Sequence, residues 1–182
     1  RPSVFKKHMG DNYIENVFKL AETADPDADL IYNDYNLYKP AKLAGVLKMV
    51  KRLQANGTKI NAIGAQAHWR LNSPSLDEIE QIILHISELG VEVMFTELDI
   101  TVLPNPWELV GAEVTQNFSK FEGDPKMDPY PKALPKSVEK QLAKRYEDIF
   151  KLFVKHQDKI SRVTFWGVMD KHSWLNDWPI KG

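Results

Sequence analysis

Cysteine is absent from the 182-residue chain, which excludes disulfides, thiolate zinc sites and a cysteine nucleophile together. The compartment stays open, since a disulfide-free protein can be secreted. Charge of one sign is also lacking: 24 Lys and Arg stand against 25 Asp and Glu, for a formal net charge of −1. With no basic run long enough to track a phosphate backbone or an anionic surface, neither nucleic acid nor a membrane is expected as a partner. Long hydrophobic runs are missing as well. None approaches the roughly 20 residues that a membrane span needs, and the opening Arg1-Pro2-Ser3-Val4-Phe5-Lys6-Lys7 has no apolar signal-peptide core. There is no initiator Met, so the chain is expected to be a piece of a longer protein. Glycine (9) and proline (11) are sparse, while 43% of residues are apolar and 27% charged, the make-up of one folded domain.

What is there is an alternation of short β-type runs and amphipathic segments. Leu30-Ile31-Tyr32 reads as a strand, and Pro40 opens a helix whose Leu43, Val46, Leu47, Val50 and Leu53 recur at helical spacing until Asn56-Gly57 closes it. A second strand is expected over 60–67. Ser75 and Glu78 then form a capping box ahead of Ile79, Ile82, Ile83, Ile86 and Leu89, in a helix stopped by Gly90. Val91 to Thr96 is the third strand, 137–156 a helix with Leu142, Tyr146, Ile149, Phe150 and Phe153 on one face, and Val163 to Trp166 the fourth strand. Ahead of them all, Asp11 is expected to cap a helix bearing Ile14, Val17, Phe18 and Ala21.

Strands separated by helices run parallel, so the fold class is α/β. A doubly wound open sheet and a (β/α)8 barrel both satisfy the pattern, and the lack of a Gly-rich phosphate turn after any strand weakens the first. The stretch 101–136 breaks the rhythm with Pro104, Pro106, Pro125, Pro129, Pro131 and Pro135 among the aromatics Trp107, Phe118, Phe121 and Tyr130, and a loop this long is usually functional or mobile. Asn56-Gly57-Thr58 and Asn117-Phe118-Ser119 fit the glycosylation sequon, a triplet that chance often produces.

Chemistry gathers where the strands end. The ends read Asn33-Asp34-Tyr35-Asn36, Gln66-Ala67-His68-Trp69, Glu97-Leu98-Asp99, and Trp166-Gly167-Val168-Met169-Asp170 with Trp174 close behind. In a parallel barrel these ends face one pocket. Amides, a histidine, carboxylates and indole rings are the inventory of a sugar site, with hydrogen bonds for hydroxyls, ring faces for C–H surfaces and acids for glycosidic chemistry. A lone Glu97 reads as a strand-end ion pair, but Asp99 two residues on makes a costly arrangement unless a site uses it. His68 gains weight from Gln66 on the same strand face, whereas His8, His85 and His156 have no such company and read as surface or helix residues. No His pair stands at i, i+4 with a Glu and G-x-S-x-G is absent, so neither a zinc hydrolase nor a serine hydrolase is supported. No metal and no cofactor are expected.

Taken together, the first three of these motifs, extended to Ile63–Trp69 and Thr96–Ile100, with 163–168 and 170–175, resemble the strand-end motifs of glycoside hydrolase family 10, the retaining endo-1,4-β-xylanases, in order and spacing over nearly the whole chain. The resemblance implies a (β/α)8 TIM barrel in which 1–182 is the carboxyl-terminal part of one catalytic domain, supplying strands five to eight. It implies Glu97 as the nucleophile and His68 and Asp99 as residues that orient and tune it. Gln66 corresponds to a partner of the sugar beside the scissile bond, Tyr35 and Asn36 to contacts around the cleavage point and the leaving-group side, and Trp166 and Trp174 to aromatic walls of the glycone subsites. Trp69 is left unassigned. The acid/base of the family is a Glu in an Asn-Glu dipeptide, and that dipeptide does not occur here. The amino-terminal half and the last helix are therefore expected to lie outside this chain, which alone would be inactive and prone to aggregate or unfold at its open edges. The implied partners are xylan, xylo-oligosaccharides and the amino-terminal half of the same barrel, and the implied location is secreted, cell-surface or periplasmic. Two alternatives stand beside this: a carbohydrate-binding pseudoenzyme, and a barrel glycosidase acting on cellulose-like or mixed-linkage glucans.

Overall fold

The computed structural model of the chain describes residues 3–103 and 124–177. Helix α1 (Val4–Met9) buries none of its residues and so leaves no periodic trace in the sequence. Helix α2 (Tyr13–Ala24) is capped by Asn12 without a side-chain hydrogen bond. The expected cap, Asp11, instead pairs with Lys6 of α1 at 3.0 Å, which takes its carboxylate away from the α2 amides. Helix α3 (Pro40–Ala55) has Pro40 in its first turn and ends at Asn56 as expected, and α4 (Leu76–Ser87) opens with the reciprocal Ser75–Glu78 capping box. Helix α5 (Lys136–Lys155) closes the set.

Strands β1 (Ile31–Asp34), β2 (Ala62–Ala65), β3 (His68–Arg70), β4 (Glu92–Thr101) and β5 (Ile160–Phe165) form one parallel sheet. β1 pairs with β2, β2 and β3 both pair with β4, and β5 lies on β4. With β2 and β3 taken as two pieces of one interrupted strand, spatial order follows chain order and a helix separates each pair of neighbours. A doubly wound sheet reverses its order at a switch point and this one does not, so the arrangement is an arc of a (β/α)8 barrel.

Two strands differ from expectation. The run 60–67 ends early because Ala67 adopts φ +66, a left-handed kink after which the chain pairs again as β3. That second pairing carries β4 on to Thr101, so Glu97 and Asp99 lie inside a strand and not beyond its end. Beyond Phe95, β4 also holds one residue more than its neighbours use over the same stretch. Phe95 and Leu98 pair with Val163 and Phe165 of β5, three steps against two, and Phe95 to Asp99 spans four steps against three from Ala65 to His68. This is a β-bulge at Thr96-Glu97.

The bulge sorts the faces. Val93 and Phe95 before it, and Leu98 and Ile100 after it, all join the apolar cluster formed with Val46 and Val50 of α3, Ile79, Ile82, Ile83 and Ile86 of α4, and Ile149 and Phe153 of α5. Phe95 stacks on Phe153 at 4.2 Å, and Trp69 meets both rings edge-on or tilted, so Trp69 is a core residue. Residues 104–123, with Pro104, Pro106, Trp107, Asn117, Phe118 and Phe121, lie outside the described residues. Among the described residues β1 and β5 are edge strands, and Leu20, Phe165 and Val168 stay exposed.

Phe95→Ala is expected to destabilise the fold by about 3–5 kcal/mol, the usual cost of emptying a filled aromatic core site. Phe165→Ala, at a residue already 53% exposed, is expected to cost well under half of that. Urea unfolding of the two variants side by side checks the ordering.

Candidate active site

Glu97 enters the site because of the bulge. Under strict alternation its side chain would share the face of Phe95 and point at the helices; the extra residue turns Thr96, Glu97 and then Asp99 to the opposite face. There His68, brought in by the kink before β3, lies between the two carboxylates. Its Nδ1 is 3.0 Å from Asp99 Oδ1 and its Nε2 is 3.2 Å from Glu97 Oε2. The other Glu97 oxygen accepts from Asn33 Nδ2 at 3.0 Å. The Asn33 amide is oriented in turn, since its Oδ1 accepts from the Thr96 hydroxyl at 2.7 Å.

Gly64 makes room for this arrangement. A Cβ there would stand 2.7 Å from Asn33 Oδ1 and 2.8 Å from Thr96 Cγ2. Only a residue without a side chain lets the two strands hold that hydrogen bond across it. Asn33 is the site residue that the sequence reading passed over while quoting its motif. Its signal was its place in β1, one step before Asp34 and on the opposite face.

The aromatic side closes from β5. The Trp166 N–H donates to the Leu98 carbonyl at 3.1 Å, and Gly167, at φ +121, turns the chain in a way that L side chains rarely allow. Two short 3-10 turns follow (Asp170–His172 and Trp174–Asp177). Trp174 Nε1 then donates to Asp99 Oδ2 at 2.6 Å. The His68 ring meets the edges of Trp174 at 5.1 Å and of Trp166 at 6.3 Å. Glu97, His68, Asp99, Trp166 and Trp174 are thus brought together.

Gln66 joins them through its backbone. Its carbonyl accepts from the Glu97 N–H at 2.9 Å, and its own N–H donates to the Asp34 carbonyl at 3.0 Å, tying three strands at the level of the site. Tyr35 and Asn36 follow β1 at the same end of the sheet, and neither hydrogen-bonds to Glu97. His85 pairs loosely with Glu88 in the open, as expected of a helix histidine, whereas His156 is buried and bonds Glu80 at 2.6 Å, pinning α5 to α4.

Electrostatics make the triad one unit. Burial pushes the His68 imidazolium down, but hydrogen bonds and attraction from Asp99 and then Glu97 outweigh it, and the pKa lies above its ordinary 6.5. A protonated His68 donates to both carboxylates and leaves the group with one net negative charge. Such a charge, fixed in orientation and exposed on one side, can attack an electrophilic carbon.

Two outcomes are expected. Because the folded pKa of His68 is raised, its pairing adds stability that is fully present below the unfolded value of about 6.5 and is lost as pH rises through the folded value. NMR titration of the imidazole protons should show the raised pKa, and Asp99→Asn should lower it. Gly64→Ala should cost about 1–3 kcal/mol in urea unfolding through overpacking and weaken the Asn33–Glu97 bond.

Comparison with known proteins gives the chain a family. The sequence model of Glycosyl hydrolase family 10 matches residues 1–181. All of the chain aligns with an endo-1,4-beta-xylanase A of Xylanibacter ruminicola at 44% identity, covering 48% of that protein. It also aligns in full with an endo-1,4-beta-xylanase of Geobacillus stearothermophilus at 41% identity, covering 49% of it. The fold superposes over its whole length on 52% of a GH10 endoxylanase retrieved from a sugarcane soil metagenome, with a TM-score of 0.94 and 47% identity. A mutant structure in complex with xylotriose matches with a TM-score of 0.81 at 32% identity, over all of this chain and 50% of that one. The chain spans about half the length of the Xylanibacter and Geobacillus xylanases. It belongs to glycosyl hydrolase family 10.

Proposed function

We propose that the chain supplies the nucleophile side of a retaining endo-1,4-β-xylanase site that hydrolyses internal bonds of xylan. The observation that carries the reading is the Glu97 carboxylate held on one oxygen by Asn33 and on the other by His68, with His68 braced by Asp99. A carboxylate oxygen has lone pairs to spare after one hydrogen bond. Glu97 can therefore stay anchored and still attack the anomeric carbon to form a glycosyl-enzyme ester. Family membership, and the xylanase names of relatives that align over the whole chain, support xylan over a glucan.

In this reading the acid/base is a Glu in the remaining half of the barrel, about 5–5.5 Å from Glu97, as retaining geometry requires. It protonates the leaving oxygen and then activates water against the ester. The same half would pair with the open edges of β1 and β5 and cover Leu20, Phe165 and Val168, which favours the chain being the carboxyl-terminal part of one domain. Trp166 and Trp174 would face C–H surfaces of the sugars bound beside the cleavage point. The reading carries with it a secreted, cell-surface or periplasmic location, where the intact polymer is met. One observation favours binding without cleavage for the isolated chain: it holds no Asn-Glu dipeptide.

The test is release of reducing sugar from soluble xylan by the protein in which the chain is joined to the remaining half. Glu97→Gln should lower turnover on the order of 10⁴-fold, as expected when a covalent nucleophile is removed, with xylo-oligosaccharide binding kept within a few-fold by calorimetry. A Glu97→Gln protein with parental turnover overturns the assignment. Binding with no turnover in the parent moves the pseudoenzyme reading to first place.

A further inference from the structure

Helix α3 begins in an unusual way. Its first turn contains no acidic residue and places Lys42 at its third position, a cation at the end of the helix dipole that repels one. Such a residue needs another reason to stand there. Lys42 Nζ reaches Asp34 Oδ1 at 2.7 Å and sits 3.5 Å from the centroid of the Tyr35 ring.

The partners of Asp34 show that the contact is built. Its Oδ1 also accepts from the Tyr35 backbone N–H at 2.8 Å, and its Oδ2 accepts from the Tyr32 hydroxyl at 3.0 Å. Burial and the adjacent carboxylate push the Tyr32 phenol upward, so it stays a donor to Asp34. The turn from β1 into α3 is set by Asn36 in the left-handed region at φ +56, by its carbonyl accepting from Lys39 N–H at 3.1 Å, and by Leu37, which is 2% exposed. Asn accepts that backbone conformation more readily than most residues. The backbone of Tyr35 is thus fixed by Asp34 and its ring is covered on one face by Lys42, while the residue as a whole stays 38% exposed.

We propose that Lys42 is a positioning residue of the site: anchored on Asp34, its ammonium holds the Tyr35 ring at the carboxyl end of the sheet, preset to meet a sugar unit beside the cleavage point. This rests on the xylan reading above. Holding the ring before substrate arrives removes the cost of ordering it on binding. The effect therefore falls on affinity and not on the bond-breaking step.

The experiment uses the protein containing both halves of the barrel, with xylopentaose as substrate. Lys42→Met, which keeps the stem and loses the charge, should raise KM roughly 3–10-fold and leave kcat within about twofold. Lys42→Arg should restore the parental KM, because a guanidinium can pair with Asp34 and stack on the ring. In a Tyr35→Ala background Lys42→Met should change nothing further. Additive effects in that double-mutant cycle, or a lower melting temperature with KM unchanged, overturn the inference. An independent readout is the upfield NMR shift that the Tyr35 ring imposes on the Lys42 ε-methylene protons in the free protein, lost in Tyr35→Ala. If that shift is present and the parent leaves xylopentaose intact, the xylan reading has failed and takes the reaction role with it. If the shift is missing and hydrolysis proceeds, the clamp has failed alone.

Discussion

One inserted residue governs the site. Between Phe95 and Leu98, β4 carries one residue more than either neighbouring strand needs. Because side chains alternate with a period of two, that residue reverses which face each later position takes. The apolar residues on both sides of the bulge stay in the layer against the helices, and two consecutive polar residues, Thr96 and Glu97, turn inward together. Without the bulge, Glu97 would be driven into the aromatic layer of Phe95 and Phe153, and Leu98 and Ile100 would leave it. Neither is affordable for a strand whose apolar side chains sit in the main core.

The rest of the site follows from keeping a carboxylate in that position. Glu97 and Asp99 on one face would repel each other in a partly buried setting, and His68 between them converts repulsion into a pair of charge-assisted hydrogen bonds. Each member of the group is oriented by a further one. Asn33 is oriented by Thr96, with Gly64 leaving the space. Asp99 receives the indole N–H of Trp174. The Trp174 indole is thereby connected through Asp99 and His68 to the Glu97 carboxylate, and a shift of the indole would be felt at Glu97. Preorganised hydrogen bonds of this kind do their work before the substrate arrives.

The site also shows why an arc of the barrel can hold the Glu97 carboxylate fully oriented. The side-chain hydrogen bonds to Glu97 come from Asn33 of β1 and His68 of β3, and its backbone N–H donates to Gln66 between β2 and β3. All of these residues lie on or between strands that pair with β4 directly or through β2. The helices α3, α4 and α5 cover the outer face of the same strands with one continuous apolar cluster. What the arc leaves open is its two edges and the apolar side chains beyond β5, where a closing sheet would pair.

Much of this was legible in the sequence, for reasons that can be named. The helices announce themselves through periodicity and end signals that act within a few residues: Pro40, the Ser75–Glu78 box and Asn56 all stand where the local rules place them. α1 escaped because it buries nothing, and Asp11 misled because Lys6 competes for its carboxylate. The chemistry of Glu97, His68 and Asp99 was readable from residue type and strand position, and a resemblance of motifs supplied their roles. The break at Ala67, the extension of β4 to Thr101, the facing of Glu97 and the part played by Asn33 were not readable. Each depends on register against a strand tens of residues away, and alternation counted along one strand carries no information about an insertion that only its neighbours reveal. The sequence by itself determined which side chains are available and which stretches become helix or strand. Tertiary structure alone decided which face they meet on, because pairing across the sheet, and not the order of residues along it, sets the parity of every side chain.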